Sequence, residues 1–296
     1  MINFMKYKPI FFGISLSFLI PGLIALFVWG LRPAIDFTGG ALLEVSLTPK
    51  SNSMSVTATD ITNYLNGING VTINSVQRVG DTNSYIIRTN SINEDLKNQL
   101  MNKLEQNYDV VERKFDTVGP TLGRELLVKT GVAIALASMV ILMYVAYQFK
   151  DMVYGVSAIL AMFHDTLILL GSFAVLGHFM GVEVDMLFVT ALLTTLSFSV
   201  HDTIVVFDRV REINRLVKGI PFEDVLNKSI ISTFNRSLNN SMTIIFMLVA
   251  LVVLGGDTIR WFAVALLIGT ITGTYSSTFT AMPLLAVFMK KFRKIA

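Results

Sequence analysis

The sequence predicts an integral membrane protein, an α-helical bundle of six transmembrane helices with one external α+β domain. Three observations support this fold class. Of the 296 residues, 53% are hydrophobic and only 15% are charged, whereas a soluble domain carries about 25% charged residues. Six nearly uncharged runs each reach the length of about 20 residues that a bilayer requires. One long polar stretch separates the first run from the second.

The six apolar runs are the predicted transmembrane helices. The first run follows Lys6 and Lys8, so a signal peptide is the alternative there. That run is too long for the apolar region of a signal peptide and has no clear small-residue cleavage site, which favours a transmembrane helix. The last run is long enough to cross the bilayer at a tilt. The runs cover residues 10–31, 130–149, 152–177, 186–207, 230–254 and 261–289.

Basic residues determine the predicted orientation, because short cytoplasmic segments are enriched in lysine and arginine. Six spans place the N-terminus, the loop 208–229 and the C-terminal tail on one side, and all three are basic. We therefore expect a multi-pass protein of the cell membrane with both termini in the cytoplasm. The predicted segments are residues 1–31, the external domain 32–129, and the five further helices of residues 130–296. The basic residues are Lys6, Lys8, Arg209, Arg211, Arg215, Lys218, Lys228, Lys290, Lys291, Arg293 and Lys294.

The polar stretch predicts a small domain with the element order β-α-β-β-α-β. This order is typical of a ferredoxin-like split sheet. Thr57 and Ser91 are the predicted N-caps of the two helices, and residues 80–83 form a turn signal between the middle strands. The domain lacks histidine and a glycine-rich phosphate loop, so we expect it to bind rather than to catalyse, and the protein not to be an enzyme. The predicted strands are 41–47, 71–79, 84–89 and 109–115, and the helices are 57–68 and 91–107.

Gly119 and Pro120 end the last predicted strand. They predict a hinge, followed by a short interfacial helix at residues 121–127 that leads to the second span. A plain surface turn is the alternative interpretation.

Three charged residues lie inside the predicted spans: Asp165, Asp202 and Arg236. On insertion scales a charged side chain costs roughly 2.5–3.5 kcal/mol at the bilayer centre, so each of the three is expected to have a functional or structural role. Asp202 lies six residues before Asp208, where its span reaches the cytoplasm, a depth of roughly 9 Å. Arg236 lies at a similar depth in the next, antiparallel span, so the two side chains are expected to face each other. A static structural ion pair is the alternative to a functional one.

Histidine precedes both intramembrane aspartates, in the tripeptides His164-Asp165-Thr166 and His201-Asp202-Thr203. Each histidine is either a proton carrier or a hydrogen-bonding residue of the bundle. Oxygen ligands near Asp202 leave sodium open as an alternative coupling ion. The chain has no cysteine, so it has neither a thiolate metal site nor a thiol nucleophile.

Polar and small residues recur at helical spacing in the last three spans. Lipid cannot satisfy a polar stripe, which must face protein or water, and small residues allow helices to approach closely. We expect the sixth span to make an intimate contact, either within this chain or with a partner. The polar stripe is Ser232, Arg236, Asn239, Asn240 and Thr243; the small residues are Ala191, Thr195 and Ser199 in span four and Gly269, Gly273, Ser277 and Ala281 in span six.

Five motifs together resemble the SecF branch of the SecD/SecF family. They occur in the family's order and with its topology, from Asp36 to Ser277, although each alone is weak. One departure is His201, where the family motif has asparagine. The motifs are Asp36-Phe37-Thr38-Gly39-Gly40, Val118-Gly119-Pro120, His164-Asp165, residues 202–212 and Gly273-Thr274-Tyr275-Ser276-Ser277.

The resemblance implies a function in protein export. It implies a subunit related to the resistance-nodulation-division transporters that uses the proton gradient to promote late, external-side steps of export through the Sec channel. The implied proton-linked residues are Asp202 and Arg236. The implied partners are SecD as a separate chain, the channel SecYEG, YajC and YidC, and unfolded exported polypeptides; neither a nucleic acid nor a cofactor is implied.

Two other functions compete with this interpretation. Half of a small-molecule, proton-coupled efflux transporter would have the same kind of bundle, although such pumps carry far larger external domains. A structural scaffold of the translocase would tolerate neutral substitution of the intramembrane charges.

Overall fold

The computed structural model describes residues 3–50, 57–79, 83–149 and 151–293, and the chain separates into two compact units. The helical unit combines Met1–Arg32 with Val132–Ala296, and the smaller unit is Pro33–Gly131. The smaller unit begins one residue and ends two residues after the limits of the predicted domain 32–129. Residues 80–82 of the predicted turn, and Lys294 of the basic tail, lie outside the described residues.

In the part of the chain that the structure describes, six helical segments are long and apolar enough to cross a membrane, which confirms the six predicted spans. The last of them, Ile259–Phe292, is interrupted at Thr280, which separates two helices. A short 3-10 helix, Phe4–Tyr7, precedes the first helix. The helices of these spans are α1 (Lys8–Val28), α5 (Pro120–Gln148), α6 (Met152–Met180), α7 (Met186–Leu216), α8 (Phe222–Leu254), α9 (Asp257–Phe279) and α10 (Ala281–Arg293).

Most of the predicted cytoplasmic segment 208–229 is helical. Helix α7 continues to Leu216 and α8 begins at Phe222, so the connection shrinks to residues 217–221. Two ion pairs at i,i+3 spacing support the extension of α7, Arg209 with Glu212 at 2.8 Å and Arg211 with Asp208 at 3.2 Å. A helix that leaves the bilayer can continue when such pairs line its surface.

The smaller unit has the ferredoxin-like fold that the sequence predicts. Its four strands form one antiparallel sheet in the order β2-β3-β1-β4. Alternate residues of β1, Leu43, Val45 and Leu47, are buried in one core with Ile61 and Leu100 of the two longer helices, as expected for a sheet with one covered face. The elements are α2 (Ile35–Thr38), β1 (Gly40–Pro49), α3 (Ala58–Leu65), β2 (Ile73–Val79), β3 (Ser84–Thr89), α4 (Glu94–Glu105) and β4 (Tyr108–Val118).

One of the two predicted helix caps in this unit is correct. The side chain of Thr57 accepts a hydrogen bond from the Asp60 amide at 3.2 Å and so caps α3. Ser91 does not cap α4. Asn93 does so by accepting from the Leu96 amide at 3.0 Å, because an asparagine nearer the first helical residue is as good an N-cap as serine.

The predicted short helix 121–127 is not a separate element. It forms the first turns of α5, which runs without a break from Pro120 to Gln148. Proline suits this first helical position, since its missing N–H would have no partner there. Gly119 alone connects β4 to α5; its role as a hinge with Pro120 stays a prediction.

The glycines of the Asp36–Gly40 motif are required by close backbone contacts within the smaller unit. Gly39 has φ +69°, and a Cβ on it would lie 2.8 Å from the Cα of Pro120. A Cβ on Gly123 would lie 2.7 Å from the Gly39 nitrogen. The turn between α2 and β1 therefore packs directly on the start of α5.

Gly40→Ala is expected to destabilise the sheet. Gly40 has φ +123°, and a Cβ there would lie 2.7 Å from the carbonyl oxygen of Thr89, so the substitution combines strain with a clash. We expect a loss of about 1–3 kcal/mol, measured in the full chain as faster amide hydrogen exchange of β1 and β3.

Gly67→Ala is the matched control for that change. Gly67 also has a positive φ, +94°, but a Cβ there would meet nothing within 4 Å. Equal losses in the two variants would mean that backbone strain alone, and not the contact with Thr89, accounts for the effect of Gly40→Ala.

Candidate functional site

The site is built on the contact between α7 and α9. A Cβ on Gly269 would collide with the side chain of Thr195, and a Cβ on Gly273 would lie 3.4 Å from the Cα of Ser199. The small residues of the sixth span thus contact the small residues of the fourth within the same chain, which answers the question that the sequence left open. This close approach lets short hydroxyl side chains of α9 reach carboxylates on its neighbours.

Asp202 lies on α7 and is buried, with 6% of its surface exposed. The Ser237 hydroxyl of α8 lies 2.7 Å and 2.8 Å from its two carboxylate oxygens, and the Ser277 hydroxyl of α9 donates to Oδ2 at 2.5 Å. Three helices therefore meet at one carboxyl group. Because hydroxyl groups both donate and accept, this set of partners can bind either the ionised or the protonated carboxyl group.

Asp165 forms a second buried carboxyl site, between α6, α7 and α9. Its Oδ2 accepts hydrogen bonds from Ser199 at 2.6 Å and Ser276 at 2.5 Å. Its Oδ1 lies 2.9 Å from Nδ1 of His164, which is also buried. Among the residues that the structure describes, Asp165 and Asp202 are the buried carboxylates.

Adjacent residues of α9 link the two carboxyl sites. Ser276 donates to Asp165 and Ser277 to Asp202. The motif that ends in these two serines is visible in the sequence, whereas their hydrogen bonds to the carboxylates are not. Ser237 belongs to none of the predicted sites. The signal that could have revealed Ser237 is the row Thr233, Ser237 and Ser241, polar residues at four-residue steps, all of which are buried.

The prediction that Arg236 faces Asp202 is wrong within this chain. Arg236 is exposed, and across the described ranges it makes neither an ion pair nor a hydrogen bond. Ser237, the next residue, takes the place beside Asp202, because one residue along a helix turns the side chain by about 100°. The predicted stripe, including Asn239, Asn240 and Thr243, lies on the exposed face of α8.

His201 is exposed on α7 and takes no part in the hydrogen bonds of Asp202. The other predicted site residues, Asp36, Gly39, Gly40, Gly119 and Pro120, belong to the smaller unit. Within the described residues no group of three or more histidine, aspartate or glutamate side chains is arranged to hold a metal ion.

Six apolar spans with ionisable groups buried between them define a multi-pass membrane protein. Residues 96–291 match the family model described as protein export membrane protein SecD/SecF, C-terminal. The chain belongs to the SecD/SecF family.

Individual relatives agree with this assignment. The chain is 42% identical to the protein translocase subunit SecF of Thermobaculum terrenum, covering 98% of this chain and 95% of that one. It is 37% identical to the SecF of Anaerolinea thermophila, covering 97% and 94%.

Solved structures show the same architecture. The crystal structure of SecDF, a translocon-associated membrane protein from Thermus thermophilus, superimposes with a TM-score of 0.84 at 28% identity over 98% of this chain. A structure of SecDF in a super-membrane-facing form gives 0.65 at 26% identity over 99% of this chain. In both comparisons this chain spans only 39% of the SecDF chain.

Gly269→Ala should loosen the bundle, whereas Gly273→Ala should not. The new methyl group at residue 269 would collide with Thr195, whose hydroxyl is held by the Leu192 carbonyl at 2.9 Å. We expect a loss of about 1–3 kcal/mol from overpacking, measured by reversible unfolding in lipid or detergent. At residue 273 the methyl group meets ordinary contact distances.

Thr195→Gly tests the cause of the Gly269→Ala effect. Removing the opposing side chain should restore part of the stability in the double variant, since the clash is then gone. Losses that simply add in the double variant would contradict the α7–α9 contact as the reason.

Proposed function

We propose that this chain acts in protein export as the SecF-type subunit of a complex with SecD in the cell membrane, where proton movement through the bundle promotes late, external-side steps of translocation. The observation that carries the proposal is Asp202, a buried carboxylate held by hydroxyl groups from two other helices. The names of the relatives, protein translocase subunit SecF, support export as the process served.

A buried carboxyl group can couple proton binding to movement. A low dielectric favours the neutral form of a carboxyl group and a nearby cation favours the ionised form. A helix movement that brings a cation toward Asp202, or withdraws it, therefore releases or binds a proton. One elementary charge crossing 100 mV is worth about 2.3 kcal/mol, enough to bias a two-state equilibrium.

Arg236 is the proposed cation, and its exposure supports a partner on this face of α8. An arginine with Asn239, Asn240 and Thr243 beside it cannot be satisfied by lipid at this depth. We propose that this face of α8 contacts SecD, because this chain spans only 39% of the similar SecDF chain. The switching cation would then lie at the subunit interface rather than inside this bundle.

The remaining assignments follow from the family and the basic segments. We propose that the termini are cytoplasmic, that the smaller unit lies outside and contacts unfolded exported chains, and that the complex works beside SecYEG, with YajC and YidC as further partners. The coupling ion is proposed to be the proton, and sodium is the alternative that the experiment below separates.

Asp202→Asn should abolish gradient-driven stimulation of export. Asparagine can still accept hydrogen bonds from Ser237 and Ser277, but it cannot bind and release a proton. Export into inverted membrane vesicles, with the ATP-driven motor saturated, should fall to the level seen without a gradient, while assembly with SecD is kept. Imposing proton and sodium gradients separately identifies the ion.

Asp208→Asn is the matched control. Asp208 is a partly exposed carboxylate at the end of the same apolar run, paired with Arg211, and its substitution should leave the gradient response intact. If Asp202→Asn kept full stimulation, Asp202 would be structural, and the coupling site would have to be Asp165 or a residue of SecD.

Arg236→Met should remove the same gradient stimulation, with Arg236→Lys partly active. Because Arg236 is exposed and has no ion pair with any described residue, the stability of the isolated chain should change by less than about 0.5 kcal/mol. Ser237→Ala should instead lower that stability by about 1.5–3 kcal/mol, since it removes a hydrogen bond to a buried charged group. Equal destabilisation by both variants would place Arg236 inside the bundle and contradict the interface assignment.

A further inference from the structure

We propose that His164 and Asp165 of α6 form a second proton-binding site, distinct from Asp202 and coupled to it through Ser276 and Ser277 of α9. The inference rests on the proposed proton-coupled function and deepens it, since the bundle would then bind two protons whose affinities depend on each other. The proton acceptor is Nε2 of His164.

The first argument is an unpartnered nitrogen in the interior. His164 is 8% exposed, and its Nε2 is buried without a hydrogen-bond partner in the described part of the chain. Its other nitrogen, Nδ1, lies 2.9 Å from Oδ1 of Asp165. If Nδ1 carries the hydrogen and donates it to the carboxylate, Nε2 presents a free lone pair to the interior, and such a buried acceptor calls for a ligand.

A proton is the ligand that suits this position. Protonation forms one N–H bond at Nε2; a hydronium ion supplies the proton and leaves as water. Asp165 stays ionised, so the product is an imidazolium–carboxylate pair in which the two buried charges compensate each other. A lone buried carboxylate is costly unless it is paired, and His164 provides that pairing.

No other described cation pairs with Asp165. The helices packed on α6 are α1, α7, α9 and α10. Near this site these helices carry Asp202, which is hydrogen-bonded to Ser237 and Ser277. They also carry Tyr275, whose hydroxyl donates to the Phe11 carbonyl at 2.9 Å. His201 of α7 is exposed. The other charged positions of these helices are near their ends: Lys8, which pairs with Glu223, residues 208–215, residues 257 and 260, and residues 290, 291 and 293.

The second argument is the pair of serines, each of which has a choice of acceptor. The Ser276 hydroxyl lies 2.5 Å from Asp165 and 3.3 Å from the Gly273 carbonyl. The Ser277 hydroxyl lies 2.5 Å from Asp202 and 3.1 Å from the Thr274 carbonyl. Each hydroxyl has one hydrogen, so it donates either to the carboxylate or to the carbonyl one turn earlier.

Proton binding at one site is therefore expected to change the proton affinity of the other. When Asp202 is protonated, its O–H can donate to Ser277, and the serine hydrogen turns to the Thr274 carbonyl. When His164 is protonated, the charge of Asp165 is compensated, and the hydrogen bond that Asp165 accepts from Ser276 weakens. Both changes act on consecutive residues of one helix turn, so α9 links the two equilibria.

The test is a nitrogen NMR titration of the full chain, with isotope-labelled histidine, in lipid nanodiscs. The chain has three histidines, and His164→Gln assigns the buried one; if that variant misfolds, His178→Gln and His201→Gln assign it by elimination. We expect the Nε2 signal of His164 to change from that of a bare ring nitrogen to that of an N–H group as the pH is lowered.

Coupling is tested in the Asp202→Asn variant, with Asp208→Asn as control. Asp202→Asn should move the His164 midpoint by about one pH unit, as expected for strongly interacting sites, and Asp208→Asn should leave it in place. A His164 that stays neutral throughout, or a midpoint indifferent to Asp202→Asn, overturns the proposal. The titration involves no export, so its outcome is independent of whether a proton gradient drives translocation.

A second readout connects the site to export. In the complex, His164→Gln should shift the pH profile of gradient-stimulated export while Asp202→Asn abolishes the stimulation. An unshifted profile would mean that His164 only fills space beside Asp165.

Discussion

The contact between α7 and α9 is the interaction on which the polar centre of this protein depends. Gly269 and Gly273 have no side chains, so the two backbones come close enough for Ser276 and Ser277 to reach carboxylates on α6 and α7. Hydroxyl groups are short, and any separation of these helices would take one donor away from each of the two buried carboxylates. In a membrane no water compensates such a loss. Small residues at the helix contact and titratable residues at the centre are therefore parts of one arrangement.

The same arrangement assigns different tasks to neighbouring residues of α8. Ser237 is turned inward to Asp202, whereas Arg236 is turned outward with a row of asparagine and threonine. Hydrogen bonds from hydroxyl groups hold the carboxylate without neutralising its charge. An arginine fixed beside it in the same chain would neutralise that charge permanently. A cation supplied across an interface can approach and withdraw with the partner's movement. This division fits the proposed function, in which the proton occupancy of the bundle depends on conformation.

Much of the fold could be predicted from the sequence, because its signals are local or periodic. The six spans follow from the length of the apolar runs, and the split sheet follows from alternation and turn residues. The Thr57 cap was recognisable from its spacing to Asp60. Errors occurred where two local solutions compete: Asn93 caps α4 in place of Ser91, and residues 121–127 continue as α5 because nothing after Pro120 ends the helix.

The sequence by itself determined which titratable residues lie in the membrane, and the tertiary structure decided which of them meet. Depth along a helix can be counted, so the sequence predicts that Asp202 and Arg236 are similar in depth. The direction of a side chain around the helix axis depends on how the helix is rotated against its neighbours, and one residue changes it by about 100°. For α8 that rotation is set by its packing on α9, where Ser241 accepts a hydrogen bond from Thr274 at 2.7 Å. It turned Ser237 toward Asp202 and left Arg236 on the surface.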